Sequence, residues 1–508
     1  MSELLELSTE REVEPLLESP SEQFLLSNII LLSEKSDSSK ILKENGRVYT
    51  PIFIVNNILD LSDYSGEKIL LKHVIDNSCG DGAFLTEIVR RYCLEFLKKN
   101  HNLAQLKGEL EFYIHGIEID KEECNKCKNN LTHVASNYLD NKITWDILTE
   151  DSLLCSRFDG KMDFVLGNPP YVRVHNLKEQ YTNIKNFSYA KNGMTDLFIV
   201  FYEIGLRMLN DHGTLGYISP SSLFNSVACS TFRKDTIERK KLCQIVNLEH
   251  FQVFNATTYT TIVILKNDNT NESIEYFNYD QNQLKPCFLE RLNYTDFFYK
   301  DVFYLGSKDN LVKLRAIQEF VPNSHHSIEV KNGFATLKDD FFIQDFNFDS
   351  PFLIPIIKAS TGKMTKCIFP YENGKIVPFQ TIEKDQNLVR LFLNNQKDLE
   401  NRAIEKSGYW YGFGRSQGIN DLNKSKISVN TIIKSLKDLK INSCPPGMGV
   451  YSGLYIVSSY SYEAIRKILY TPEFLDYIKS LSKYKSGGYY TFSSKDLKQY
   501  LQYQLQER

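Results

Sequence analysis

The sequence predicts a doubly wound α/β fold, a mostly parallel sheet with helices on both faces, followed by a C-terminal α/β domain. Three observations predict it. Short apolar, strand-like runs recur at 73–76, 112–120 and 163–167, separated by stretches long enough for helices. The first run leads into a glycine-containing turn, Asp76-Asn77-Ser78-Cys79-Gly80-Asp81-Gly82, and then into a helical pattern. Successive strand ends carry polar or acidic residues, which in an open α/β sheet gather at the carboxyl edge, where ligands bind.

At 508 residues, with 42% hydrophobic and 24% charged content, two or three soluble domains are expected. They divide as an N-terminal helical extension at 1–40, a catalytic domain at 41–280 and a second domain at 301–508. No run of 18 apolar residues suggests a membrane span, and the acidic start, Met1-Ser2-Glu3, lacks a signal peptide's basic region. Ten scattered cysteines fit free thiols in a reducing cytoplasm. Cys124 and Cys127 form a lone C-x-x-C within a helical stretch, so no metal site is expected. The net charge of −3 gives no global sign of a nucleic-acid partner, but its distribution does. Residues 281–508 hold 31 Lys and Arg against 23 Asp and Glu; residues 1–280 hold 29 against 40. A basic C-terminal part is suited to a polyanion.

The elements follow in order. Residues 1–40 suggest amphipathic helices around 21–34. In Tyr49-Thr50-Pro51, Thr50 is placed to N-cap a helix over 52–61, with Pro51 at its first position. The glycine turn after 73–76 lets a ligand lie against the backbone, and a helix over 83–99 follows. The strand over 112–120 carries Glu118 near its end, positioned to accept both hydroxyls of a ribose or else to cap the helix over 121–139, whose N-cap Asp120 suits better. A third strand is expected near 142–145, followed by Glu150-Asp151-Ser152, with Asp146 and Asp151 as competing acids.

The fourth strand, 163–167, delivers Asn168-Pro169-Pro170-Tyr171. Two prolines fix φ twice and remove two donors, leaving a stiff run of carbonyl oxygens. Asn168 adds an amide oxygen and Tyr171 a flat face, a combination suited to a planar group bearing an NH2, such as a nucleobase. A long loop over 172–193 contains Tyr181, Lys185, Phe187 and Tyr189 and reads as a binding loop. Then come a helix over 195–209, a strand over 215–220, a helix over 227–239 and strands over 243–248 and 259–265. The loop between those strands carries Phe251 and Phe254; Phe254 is either a plug into the core or a second aromatic wall.

These pieces, in this order over residues 46–270, resemble the gamma-class (TaqI-like) N6-adenine DNA methyltransferases. The resemblance implies a cofactor, S-adenosylmethionine, held by Thr50, Asp76, Ser78, Cys79, Gly80, Gly82, Glu118, Asp151 and Ser152, with Asp151 preferred to Asp146. It implies catalysis by Asn168, Pro169 and Tyr171, with Asn168 Oδ1 and the Pro169 carbonyl accepting the amino hydrogens of the target adenine. Tyr171 and Phe254 would sandwich that base once it is flipped from the duplex. Here the turn has Asn77 where many relatives carry proline. Residues 301–508 look like the family's target-recognition domain. Aromatics interleaved with Gly, Arg and Gln at 331–336, 408–417 and 486–490 suit contact with bases and phosphates. Tyr409, Trp410, Arg415 and Gln417 are the DNA-binding candidates, the alternative being loops packed on their own aromatics. No PD-type nuclease domain is seen, so modification without fused cleavage is expected. Double-stranded DNA is the implied partner, bound by a monomer in the cytoplasm, with room for a cognate restriction endonuclease acting separately. RNA adenine or release-factor glutamine methylation and a non-catalytic DNA-binding specificity protein are the alternative functions.

Overall fold

The computed structural model describes residues 49–173, 184–254, 258–322, 328–404, 408–415 and 417–506. The 1–40 extension, with its expected helices, and Tyr181 lie outside them. Among the described residues a nine-stranded sheet forms the centre of the N-terminal part. Its strands are β1 (Val74–Asp76), β2 (Ile114–Glu118), β3 (Asp146–Thr149), β4 (Met162–Gly167), β5 (Leu209–Pro220), β6 (Leu242–Asn247), β7 (Thr260–Lys266), β8 (Ser273–Asp280) and β9 (Lys285–Asn293). Their spatial order is β3-β2-β1-β4-β5-β7-β6-β8-β9. The first five are parallel to their neighbours, β7 is antiparallel to β5 and β6, and the β8–β9 hairpin continues the sheet to Asn293. The predicted doubly wound, mostly parallel sheet is therefore present.

Strand periodicity assigns the two faces. Phe164 and Leu166 of β4, with Ile262 and Ile264 of β7, enter one buried cluster together with helices α1 (Ile52–Leu61), α2 (Ala83–Leu97), α3 (Leu103–Tyr113) and α4 (Lys121–Ala135). Val165, Val263 and Leu265 point the other way, under α5 (Leu197–Met208) and α6 (Ser230–Glu238). That second cluster does not stop at the N-terminal part. It takes in Val330, Ile427, Leu454, Phe474 and Tyr500, so the C-terminal part packs on the α5–α6 face through continuous apolar contact. Among its described residues the C-terminal part holds two four-stranded sheets, smaller two- and three-stranded sheets, and a separate aromatic core around Phe334, Phe342, Phe392 and Phe413.

Several boundaries differ from the sequence reading. The third strand is 146–149, not 142–145, because the ladder with β2 pairs His115 with Asp146. Asp146 is thereby committed to the amino end of the sheet, where it accepts from His115 Nδ1 at 2.7 Å and pairs with Arg157 at 2.9 Å. The expected helix over 227–239 is a short 3₁₀ turn at Val227–Cys229 followed by α6. Thr50 does not cap α1; Pro51 is its N-cap residue, without a side-chain cap bond, and the Thr50 hydroxyl is used elsewhere. Cys124 and Cys127 lie on the buried face of α4. Among the described residues no helix is long and apolar enough to cross a membrane.

Candidate active site at the carboxyl edge of the sheet

The carboxyl ends of β1 to β4 surround a cavity of about 420 Å³, within the ordinary range for a small-molecule site. Its floor is the turn after β1. Gly80 and Gly82 take positive φ, 53° and 93°, which lets the chain reverse before α2 begins. Cys79 N donates to Ile117 O at 3.0 Å, and Gly80 N donates to Glu118 Oε2 at 2.9 Å. Glu118 Oε1 accepts from Asp120 N at 2.9 Å, so its carboxylate is held square at the end of β2. Asp120, as predicted, caps α4.

Asp76 is only 2% exposed. Burial pushes its carboxyl up to about 8, against the pull of the Ser78 N–H, which donates to Asp76 Oδ1 at 3.0 Å. A hydrogen bond with Cys127 and burial hold the Cys79 thiol well above its ordinary range, and Cys79 lines the cavity. Asp151 lines the cavity and accepts from Leu153 N at 2.9 Å, whereas Asp146 stands at the opposite end of β3. Ser152 also lines it, but its hydroxyl donates to Asn77 O at 2.6 Å and braces the turn.

Asn168-Pro169-Pro170-Tyr171 closes the cavity on the β4 side. Asn168 Nδ2 donates to Thr50 Oγ1 at 3.1 Å, which turns the amide nitrogen toward Thr50 and the amide oxygen away from it. Ser78 Oγ donates to Asn168 O at 3.1 Å, tying the glycine turn to the Asn-Pro-Pro-Tyr turn. Tyr171 OH donates to Ile218 O at 3.1 Å, and burial keeps this phenol protonated.

Phe254 is a plug into the core that also touches Tyr171. It is 6% exposed within the sheet's core cluster, and its ring meets Tyr171 edge-on, with centroids 6.1 Å apart and planes at 70°. A base stacked between two rings needs roughly 7 Å, twice the ~3.4 Å spacing of stacked bases. The Tyr171–Phe254 pair is therefore a closed slot, not an open sandwich.

Some residues of the site were not singled out from sequence. Leu197 and Phe201, one turn apart on α5, supply its apolar wall. Glu123 of α4 lines it and accepts from Tyr49 OH at 3.4 Å. Gly167, at the end of β4, has Asp76 Oδ1 2.6 Å from where a Cβ would sit. Of the long loop, Tyr189 is core: it is buried and donates to Asp235 at 2.6 Å.

In the C-terminal part, the 408–417 segment divides by exposure. Tyr411 and Phe413 are core residues, and Trp410 packs on Phe379 at 5.1 Å. Tyr409 (54%), Arg415 and Gln417 are exposed, although Gln417 Nε2 donates to Gly333 O at 3.0 Å. Phe334 and Tyr490, also in the flagged segments, are buried.

Comparison with known proteins fits this geometry. Residues 83–254 match the Eco57I restriction-modification methylase family model. The Type II methyltransferase M.BstVI of Geobacillus stearothermophilus is 26% identical over 416 residues, spanning 71% of this chain and 72% of its own. M.AccI of Acinetobacter calcoaceticus is 25% identical over 345 residues, spanning 62% and 59%. Two solved structures share the fold at low identity. The restriction-modification enzyme MmeI in complex with DNA has a TM-score of 0.59 and 14% identity, spanning 92% of this chain and 66% of that one. The DrdV–DNA complex has a TM-score of 0.52 and 12% identity, spanning 88% and 52%. The chain thus spans less than two thirds of each solved chain.

Proposed function

From a domain at 83–254 that matches the Eco57I restriction-modification methylases, we infer that this chain is a site-specific DNA methyltransferase acting on adenine N6. The observation that carries this reading is the Asn168-Pro169-Pro170-Tyr171 turn at the cavity, its amide oriented by Thr50. S-Adenosylmethionine supplies an electrophilic methyl group on a sulfonium centre.

The residues present fit that cofactor. Glu118, held at the end of β2, accepts the ribose hydroxyls. Asp151 and Ser152 flank the adenine side, with Leu197 and Phe201 as its apolar wall. Asp76, Ser78, Cys79, Gly80 and Gly82 form the turn beside the amino-acid end. A cation near Asp76 draws its raised pKa back down and favours the carboxylate.

The chain's own chemistry is orientation and electrostatics. Asn168 Oδ1 and the Pro169 carbonyl accept the two hydrogens of the target amino group, withdrawing its lone pair from the ring and directing it at the methyl carbon. No general base is required for the attack. The target base leaves the duplex to reach this turn, and Phe254 swings off Tyr171 to admit it. Tyr409, Arg415 and Gln417 contact DNA from the C-terminal domain, buttressed by Trp410. The enzyme works as a monomer on double-stranded DNA in the cytoplasm, and any cognate endonuclease acts separately.

Labelled S-adenosylmethionine offered with duplex DNA, RNA or a release factor tests the assignment. Label is expected in DNA, as N6-methyladenine at one recurring sequence. Label in RNA or protein alone defeats the DNA reading, and N4-methylcytosine defeats the adenine assignment. Phe254→Ala is expected to lower kcat/KM on matched duplex about tenfold, since base–aromatic stacking is worth roughly 1–3 kcal/mol. An unchanged kcat/KM with a lowered Tm would assign Phe254 to the core alone.

A further inference from the structure

Two apolar side chains project from the same edge of the sheet as the catalytic turn. Met194 is 79% exposed and Val227 is 72% exposed. The fold holds their backbones together. A Cβ on Gly193 would lie 3.3 Å from Ala228 N and 3.7 Å from Val227 Cβ. Asn192 Nδ2 donates to Ser230 Oγ at 3.2 Å and Thr231 Oγ1 at 2.8 Å. The Thr195 hydroxyl donates to Ala190 O at 3.0 Å. Met194 therefore sits on a braced turn.

That turn is tied to the site. Leu197 N donates to Val172 O at 2.8 Å, and Arg173 and Asp196 form an antiparallel bridge. The residues two and three positions after Met194 are thus joined to those directly after Tyr171. Because α5 begins and β5 ends at the carboxyl edge, Met194 and Val227 share that edge with Tyr171. Asn225 Nδ2 donates to Ser482 O at 3.3 Å, setting the Val227 segment against the C-terminal domain. Exposed cations flank Met194 along the chain: Lys191 lies three residues before it, and Arg173 bridges Asp196, two residues after it. An exposed apolar pair with cations beside it, at the edge that carries the catalytic turn, matches a duplex: phosphates meet the cations and the apolar pair meets stacked bases.

We propose that Met194, backed by Val227, is the wedge that enters the base stack as the target adenine leaves it. This rests on the methyltransferase reading above. Flipping a base opens a gap in the stack, and an apolar side chain lowers its cost by covering the faces left bare. Methionine suits that role, being unbranched and polarizable.

The test compares Met194→Ala with the parent on two duplexes carrying the methylated sequence, one matched and one with an abasic site opposite the target adenine. On the matched duplex the variant is expected to lose about tenfold in kcat/KM, with a smaller fluorescence rise from 2-aminopurine at the target position. On the abasic duplex, where the target base is already unpaired, it should stay within about twofold of the parent. Equal rates for variant and parent on both duplexes overturn the proposal, as would be found if the apolar pair served a protein partner. An equal loss on both overturns it too, by making Met194 a part of the site and not of the opening step. A parent that methylates neither duplex defeats the methyltransferase reading, and the wedge with it.

Discussion

Asn168→Ala is expected to lower kcat for methyl transfer by about 10²–10³, the usual cost of removing one preorganised polar group from a transition state. Cofactor affinity should stay within about threefold of the parent. The separation follows from the geometry. The glycine turn and Glu118, the proposed cofactor side, are held without the Asn168 amide: Cys79 N donates to Ile117 O, and the N–H groups of Gly80 and Asp120 donate to the Glu118 carboxylate. Asn168 joins that side through its backbone carbonyl, which accepts from Ser78 Oγ and survives the substitution. What alanine removes is the amide, and with it the acceptor for one amino hydrogen. Thr50→Val separates presence of the amide from its orientation. It leaves Asn168 in place but deletes the oxygen that fixes Nδ2 at 3.1 Å. A fall of about tenfold in kcat, with cofactor affinity unchanged, is expected for this loss of positioning. Single-turnover methylation and calorimetric titration with S-adenosylhomocysteine measure the two quantities. An Asn168→Ala enzyme that retains kcat within about threefold removes Asn168 from the chemistry.

The parts of this site legible in sequence were those with local causes. Two prolines stiffen a turn wherever they stand, and glycines permit positive φ at 80 and 82, so both turns could be read without the fold. Glu118 followed from being the last residue of a strand. What escaped was decided at long range. Thr50 had the right neighbours for a helix cap, but a residue 118 positions away took its hydroxyl. Ile143, Trp145 and Ile147 are all buried in one cluster, so their alternation could not say where the strand began; pairing with His115 and its neighbours decided that. Leu197 and Phe201 belong to a helix that is apolar on almost every side, and its pattern cannot distinguish a cavity wall from core. Phe254 was balanced between core and site in the sequence, and its ring is buried while touching Tyr171.

Gly167 belongs with those long-range causes and carries the second large effect. It is the last residue of β4, directly before Asn168. An alanine Cβ there would stand 2.6 Å from Asp76 Oδ1 and 3.0 Å from Asp76 Cγ. Asp76 has little freedom to yield. It is buried, and the threatened oxygen is the one that accepts the Ser78 N–H. Moving it displaces Ser78, whose hydroxyl holds the carbonyl of Asn168. One methyl group thus presses on the glycine turn and the Asn168 turn together. Gly167→Ala is expected to destabilise the protein by about 1–3 kcal/mol, as overpacking does, and to weaken S-adenosylhomocysteine at least about tenfold, a loss of ~1.4 kcal/mol. Thermal unfolding and calorimetric titration report the two effects. The cause is separable from a general intolerance of β4 by a double-mutant cycle. In an Asp76→Ala background the obstructing carboxylate is gone, so adding Gly167→Ala should cost little more than Asp76→Ala alone. Additive losses across the cycle would show that the two residues do not obstruct each other, and affinity within about twofold for the single variant would remove Gly167 from the site.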